Sequence, residues 1–377
     1  MTSGLPSENQ SRRRVVFVGT GHAHLHALKR AAEFTRRGFE VVAISPENFW
    51  YSGLATGVLG GHYQPKQDQV SIEALMAPGG SAASFLRDRV VAIDPAGKCV
   101  HLASGAILGY EVLSLNLGSE TRPFPGETKC VFPIKPLGNL WELRQALQAA
   151  QIRGQMPRVV IVGGGASGCE IAANVRALLG IAAGVTILAP GREIAPAFPP
   201  RAAKALQEWL GTRDIRVHGD SRVSHVDGKV AVTEDGARHD FDFLINATGL
   251  HPPALLAGSG LPIGERGELL VDECLRSIGA SDIFGGGDCV RFRGRELARI
   301  GVYAVREAPV LFHNLLATLE GRPLRAFQPQ RYFLLILNLG GGVGLACWRN
   351  FYWLGRAAFW LKDRIDRAFL ARYQTSL

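Results

Sequence analysis

No two of the six cysteines in this 377-residue chain lie close enough in sequence to form a metal-binding or redox pair. Cys99, Cys130, Cys169, Cys274, Cys289 and Cys347 are scattered, without C-x-x-C or C-x4-C spacing. That removes zinc ribbons and local dithiols from the functions open to the chain. Thiols so placed in a cytosolic protein read as small buried hydrophobes. Long apolar runs are missing too. Val15–Val18 is far too short for a signal-peptide core or a bilayer span, and residues 1–12 ahead of it are polar and read as a disordered tail. The expected location is therefore cytoplasmic. The net charge is +9, yet no nucleic-acid motif accompanies it, so nucleic acid is not an expected partner; dinucleotides and anionic lipid suit the charge. A hydrophobic content of 47% with 20% charged residues describes a globular chain with room for two cores.

Glycine is abundant, and it is concentrated in two turns of one type. Val15-Val-Phe-Val-Gly-Thr-Gly-His-Ala-His24 and Val159-Val-Ile-Val-Gly-Gly-Gly-Ala-Ser-Gly168 each fall where a buried strand feeds a helix. Such a turn lets the backbone approach a pyrophosphate, whose charge sits on the amides of the following helix. Two copies imply two dinucleotides held by one polypeptide. Strand-like and helix-like segments alternate around both turns, which predicts an α/β fold with parallel sheets. The first half has strands at Val15–Val18, Glu40–Ile44, Val90–Ile93, Lys98–Leu102 and Val112–Leu117, with a helix over 22–37. The second has strands at Val159–Val162 and Val185–Leu188, a helix over Ser167–Leu179, a hairpin around Arg222–Thr233 and a closing run Phe241–Gly249.

In the first turn Gly19 makes the bend and Gly21 admits the pyrophosphate, with His22 and Ala23 opening the helix. His24 stands where a third glycine is usual, and Ser45-Pro46 replaces the acid expected to bind ribose hydroxyls. His22 and His26 share a helical face without a cysteine or acidic neighbour, so phosphate contact or packing explains this histidine run better than a metal, and no metal site is expected. The second turn has the full set Gly163, Gly165 and Gly168, with Ser167 at the helix start. Its second strand ends Leu188-Ala-Pro-Gly-Arg192 without a carboxylate. Arg192 leans the reading towards a 2′-phosphate and NADPH; the alternative is a solvated arginine. Glu170 reads either as an acid stabilised by the helix dipole or as a ring anchor or proton relay beside the nicotinamide.

Four runs carry a family resemblance: Gly21-His-Ala-His-Leu-His26, Tyr51-Ser-Gly-Leu-Ala-Thr-Gly-Val-Leu-Gly-Gly-His-Tyr63, Ile283-Phe-Gly-Gly-Gly-Asp-Cys289 and Gly301-Val-Tyr-Ala-Val-Arg-Glu-Ala-Pro-Val310. In them the chain resembles the NADH-dehydrogenase-like flavoproteins. These belong to the two-dinucleotide superfamily of type II NADH dehydrogenases, sulfide:quinone oxidoreductases and the flavoprotein modules associated with selenide, water dikinase. The resemblance implies two Rossmann-like FAD/NAD(P)-binding domains, one inserted in the other. Residues 13–122 and 254–325 would bind FAD, residues 123–253 NAD(P)H, and residues 326–377 would form a C-terminal hairpin and amphipathic helix. It also implies that Asp288, after Gly287, hydrogen-bonds the FAD ribityl chain, and that Ser52 and Gly53 pass over the flavin. A helix beginning near Arg306-Glu307-Ala308-Pro309 would point its N-terminus at the isoalloxazine. Glu170, Glu307 and Pro309 form the catalytic candidates. Ser45, Val90, Gly118, Gly249 and Ala308 complete the cofactor-binding set.

The activity so implied is an FAD-dependent NAD(P)H dehydrogenase passing electrons to a quinone or another small acceptor. Two alternatives stay open: a sulfide:quinone oxidoreductase using two of Cys130, Cys169 and Cys347, and a nucleotide-binding regulatory flavoprotein with little turnover. The dithiol of the superfamily's disulfide reductases is missing, and the C-terminal segment is too short for their dimerisation domain, so a monomer or homodimer is expected. Tyr332–Leu339 and Val343–Trp348 read as a hairpin around Gly340–Gly342. Phe351–Tyr373 reads as an amphipathic helix with Leu354, Ala358, Leu361, Ile365, Ala368 and Phe369 on one face and Arg356, Lys362, Arg364, Arg367 and Arg372 on the other. Its charges bar it from spanning a bilayer. Cationic and tryptophan-rich, it suits the inner face of the cytoplasmic membrane, where quinone-reducing relatives dock; the alternative is a cap on the protein's own core.

Overall fold

Alternating β-branched runs and helical segments do fold as parallel α/β layers. The computed structural model describes residues 13–374, so the expected tail at 1–12 lies outside the described residues. The chain divides into two compact units. Unit one comprises residues up to Asn48, Ser71–Gly118 and Pro252–Gln328; unit two comprises Phe49–Val70, Ser119–His251 and Pro329 onward.

Unit one is built on a five-stranded parallel sheet in the order Ile283–Gly285, Val112–Leu115, Arg14–Val18, Glu40–Ile44, Ala83–Leu86. Its strands are near-continuous Val, Ile and Leu because both faces are covered. The helices His22–Lys29 and Gly301–Leu319 pack against each other. Val90–Asp94, Cys99–Leu102 and Ile107–Gly109 form a separate antiparallel sheet. The helix expected over 22–37 is two helices, His22–Lys29 and Ala31–Thr35, divided at Arg30, whose backbone (φ −102°, ψ 24°) leaves the helical region.

Unit two repeats the plan. Its parallel sheet runs Val131–Pro133, Phe243–Asn246, Arg158–Val162, Gly184–Leu188, Ile215–His218. An antiparallel sheet of Val223–Asp227, Val230–Thr233 and Arg238–Asp240 again precedes the closing strand. In both units the strand that enters the glycine turn is central, and its neighbours end level with it. Val18 stands opposite Ile44 and Leu115, and Val162 opposite Leu188 and Asn246. That shared register opens a crevice at the carboxyl ends of the strands, where α/β sheets bind ligands.

The C-terminal segment departs from expectation. Leu335–Asn338 and Gly344–Trp348 form the hairpin, but Phe351–Gly355 adds a third antiparallel strand, and the helix is confined to Arg356–Leu370. The aromatic run Phe351-Tyr-Trp353 favours strand, and Gly355 at φ +148° makes the turn into the helix. The buried stripe is consequently Ala358, Phe359, Phe369 and Leu370, while Ile365 is exposed. Lys362, expected on the outer face, points inward with Asp366.

Candidate functional site

In unit one, Gly19 (φ +82°) donates its N–H to Ile44 O at 2.8 Å, and Asn116 N–H donates to Val18 O at 2.9 Å. A Cβ on Gly19 would lie 2.3 Å from Asn116 O, so only glycine fits there. Asn116 is one of the residues the sequence reading missed. Its Oδ1 accepts from Ala23 N–H at 3.1 Å and its Nδ2 donates to Gly286 O at 2.6 Å. Gly21 and Gly287 leave the space it occupies: a Cβ on either would fall 2.4 Å from Oδ1 or 2.6 Å from Nδ2. One amide thus ties the first turn of helix His22–Lys29 to the Gly286–Asp288 turn. The signal was an asparagine directly after an apolar strand, legible only once two distant turns were known to meet.

His24 is wholly buried, with Nδ1 2.6 Å from Gly19 O and Nε2 2.8 Å from Ser114 Oγ. A carbonyl can only accept, so Nδ1 carries the proton and Nε2 accepts from the serine. Burial lowers its pKa to about 4, opposed by the Gly19 hydrogen bond. Where a third glycine would permit close packing, this neutral imidazole bolts turn to strand.

Glu307, also buried, accepts from Gly287 N–H at 2.6 Å. Burial raises its pKa to about 7; the Gly287 amide resists this and Asp288 adds to it. The helix carrying it starts at Gly301, five residues before the expected point, so Arg306–Pro309 lie in its second and third turns and do not form its N-terminus. Ala308 is buried, and Pro309 sits inside the helix. Asp288 lies in the single turn Gly287–Cys289 beyond the strand Ile283–Gly285. Ser45 ends its strand with N–H on Leu86 O. Gly118 (φ +67°) follows the strand Val112–Leu115. Val90 is packed in the antiparallel sheet opposite Leu102.

Unit two repeats the cradle. Gly163 (φ +127°) donates to Leu188 O at 2.9 Å, and its Cβ would strike Ala247 O at 2.4 Å. A Cβ on Gly168 would sit 1.9 Å from Gly163 O, and one on Gly164 2.6 Å from Ala189 Cβ. Gly165 has nothing within 4 Å of that position. It leaves the backbone bare at the start of the helix Ala166–Leu179, where no side chain among the described residues caps the amides. Both cradles therefore fit a dinucleotide pyrophosphate. Ser167 lies in this first turn, Gly249 follows the closing strand, and Arg192 sits in the loop after Leu188, backed by Gly219.

Glu170 lies one turn beyond the helix start, too deep for a cap. Its Oε1 accepts from Asn338 N–H at 2.7 Å. Burial raises its pKa, against the pull of Lys362 and of that amide. Lys362 Nζ donates to Gly53 O at 2.6 Å and to Asp366 Oδ2 at 2.7 Å. Asp366 Oδ1 accepts from Tyr51 OH at 2.8 Å. Burial works against the ammonium, but Asp366, Glu170 and Asp68 outweigh it and hold the Lys362 pKa above its ordinary value. Ser52 and Gly53, expected against the flavin, open the helix Ser52–Leu59 of this unit. The sequence reading missed Lys362, Asp366 and Tyr51.

Of the thiols, Cys169, Cys289 and Cys347 are buried, and burial raises the pKa of each to about 12, 12 and 11. Cys99, Cys130 and Cys274 are half-buried.

Two parallel α/β units with a dinucleotide cradle at the head of each define a two-nucleotide oxidoreductase fold. The chain belongs to the pyridine nucleotide-disulphide oxidoreductase family, whose model matches residues 13–308. It is an FAD- and NAD(P)H-dependent oxidoreductase. It is 28% identical over 296 residues to ferroptosis suppressor protein 1 of Taeniopygia guttata, covering 72% of this chain and 73% of that one. It is 25% identical over 354 residues to demethylphylloquinone reductase NdbB of Synechocystis sp., covering 88% and 86%. Its fold matches NDH2 from Plasmodium falciparum, solved in complex with NADH, with a TM-score of 0.80 at 16% identity over 95% and 97% of the two chains. Among the described residues, no helix is long and apolar enough to cross a membrane.

Proposed function

We propose that this protein is an NAD(P)H:quinone oxidoreductase. The observation that carries the reading is the intact second cradle, clamped by Gly163, Gly164 and Gly168 and open at Gly165. A protein taking electrons from sulfide would need no such site, and of the three candidate thiols Cys169 and Cys347 are buried with raised pKa values, which opposes a reactive pair. The similarity to a demethylphylloquinone reductase supports a quinone as acceptor.

FAD, bound in unit one, supplies the two-electron chemistry between nicotinamide and quinone. The chain's own residues position and charge the site. The amides opening the helices at His22 and Ala166 hold the two pyrophosphates. Asn116 fixes one cradle, Asp288 binds ribityl hydroxyls, and Glu307 holds the Gly287 amide in place. Arg192 stands where a 2′-phosphate would favour NADPH. Reduction of a quinone consumes two protons, of which the hydride brings one. Glu170, whose pKa burial raises, is the proton-handling group of unit two, and Lys362 supplies the counter-charge to its ionised form.

The C-terminal face is the docking surface for an anionic membrane. Phe351 (75% exposed), Trp360 (61%), Trp348, Tyr352 and Trp353 project from the last strands and helix, beside Arg349, Arg356 and Arg364. The protein then works peripherally, on the inner face of the cytoplasmic membrane. Anaerobic stopped-flow of the FAD-loaded protein with NADH, NADPH and sulfide in parallel tests the donor. Rapid bleaching by a nicotinamide and none by sulfide is expected, and bleaching by sulfide alone overturns the reading.

A further inference from the structure

Asp68 is a buried acid for which the proposed reaction has no use. It closes the short helix Pro65–Asp68, is 0% exposed, and neither carboxyl oxygen has a hydrogen-bond partner among the described residues. Its backbone carbonyl accepts from Tyr51 N–H at 2.9 Å, which anchors the segment. The charged groups facing its side chain are Asp366 and Lys362, from the helix Arg356–Leu370, and its charge is felt in turn by Tyr51. Both oxygens of Asp366 are already engaged, one by Tyr51 and one by Lys362. Lys362 is drawn to Glu170 as well, and gives a further hydrogen bond to Gly53 O.

The charges do not balance if every acid is ionised. Three carboxylates, Glu170, Asp366 and Asp68, would then share one ammonium in a space largely closed to water. Glu170 is steadied by the Asn338 amide and Asp366 by two donors. Asp68 has no donor among the described residues, so its ionised form is the costliest of the three.

We propose that Asp68 is a neutral carboxylic acid that sets the charge state of the Glu170–Lys362–Asp366 cluster, a positioning residue for proton handling in the site. The functional half of this inference rests on the quinone-reductase reading above. Burial first and Asp366 second raise the Asp68 pKa to about 9, against the pull of Lys362. Below that pH, Lys362 is shared between Asp366 and Glu170 alone. Above it, a third carboxylate competes for the ammonium, and Glu170 loses part of its counter-charge.

The test is Asp68→Asn, which keeps the shape of a protonated acid and cannot ionise, made in the FAD-loaded full chain. Infrared spectra at neutral pH should show a deuterium-sensitive protonated-carboxyl band in the wild type that the variant lacks. Between the ordinary carboxyl pKa of 3.8 and about 9, the folded state keeps a proton that unfolded Asp68 has released. Wild-type stability should therefore fall relative to the variant by about tenfold in the folding constant per pH unit. Quinone turnover should lose its alkaline limb near pH 9 in the variant. Identical carboxyl bands or parallel stability–pH curves overturn the inference. If neither protein reduces a quinone, the functional reading fails alone, because the infrared and unfolding measurements still decide the state of Asp68. Should Asp68→Asn not fold, the wild-type band decides: persistence above neutral pH with loss near 9 supports the inference, and absence at neutral pH overturns it.

Discussion

His24 offers a sharp test of how the first cradle is held. Its imidazole is wholly buried between Gly19 O and Ser114 Oγ, and burial lowers its pKa from 6.5 to about 4. At about 1.4 kcal/mol per pKa unit, that shift is worth about 3 kcal/mol between the two protonation states. The folded protein keeps His24 neutral, whereas the unfolded chain takes up a proton below pH 6.5. The unfolded state thus binds more protons between about 4 and 6.5, and stability falls as the pH is lowered through that window. Outside it the contribution is flat. Protonation need not break either hydrogen bond, since Nδ1 keeps its proton and the serine can accept instead; the cost is that of a buried charge. His24→Gln has no imidazole to titrate. It should be destabilised at pH 7 by about 1–3 kcal/mol, through imperfect pairing of Gly19 O and Ser114. The wild type should then lose that advantage, and about 3 kcal/mol in all, as the pH drops from 7 to 4. Denaturant unfolding of both proteins across that range measures the difference, which cancels the carboxylates common to both. A difference that stays constant from pH 7 to pH 4 would refute the assignment of a neutral, buried His24.

Gly168→Ala places a Cβ 1.9 Å from Gly163 O and should collapse the second turn, while Gly165→Ala meets no protein atom. The second variant should keep its melting temperature yet raise the KM for NAD(P)H about tenfold or more, by steady-state kinetics. Asn116→Leu orphans Ala23 N–H and Gly286 O together, and should cost about 3 kcal/mol in unfolding experiments and release FAD on gel filtration. Phe351→Ser with Trp360→Ser should weaken binding to anionic vesicles more than about tenfold in sedimentation, with turnover on a soluble quinone unchanged.

Local chemistry made the parallel sheets and both glycine cradles legible. Val15–Val18 and Val159–Val162 are too apolar for anything but central strands, and a backbone that must turn immediately afterwards leaves few residue choices besides glycine. His24 could be named as a departure from the glycine pattern, but its role could not, because Ser114 lies 90 residues away. The same holds for Asn116, whose partner Gly286 is 170 residues distant. The family resemblance set the start of the helix carrying Glu307 near Arg306, but it begins at Gly301, which leaves no first-turn place for Pro309. Here it sits inside the helix, on an exposed face.

The largest misreading concerns Lys362, and its cause is physical. A run of 23 residues from Phe351 to Tyr373 alternates aromatic and basic side chains, and a single helix through all of them would point every lysine and arginine at water. The first five residues instead pair with Gly344–Trp348, since a hairpin with a free edge gains more from a third strand than an exposed helical turn gains from its own hydrogen bonds. Starting the helix at Arg356 turns Lys362 and Asp366 inward together, four residues apart and ion-paired. A buried ion pair is seldom a net gain in stability over a packed apolar pair. Helix Arg356–Leu370 could have covered its unit with leucines, as its stripe of Ala358, Phe359 and Phe369 does elsewhere. Placing an ammonium at Gly53 O and beside Glu170 is therefore better explained by proton handling than by folding. If Lys362→Met with Asp366→Leu proves more stable than the wild type while quinone turnover collapses, the pair is there for chemistry; if stability falls and turnover persists, it is a structural strut.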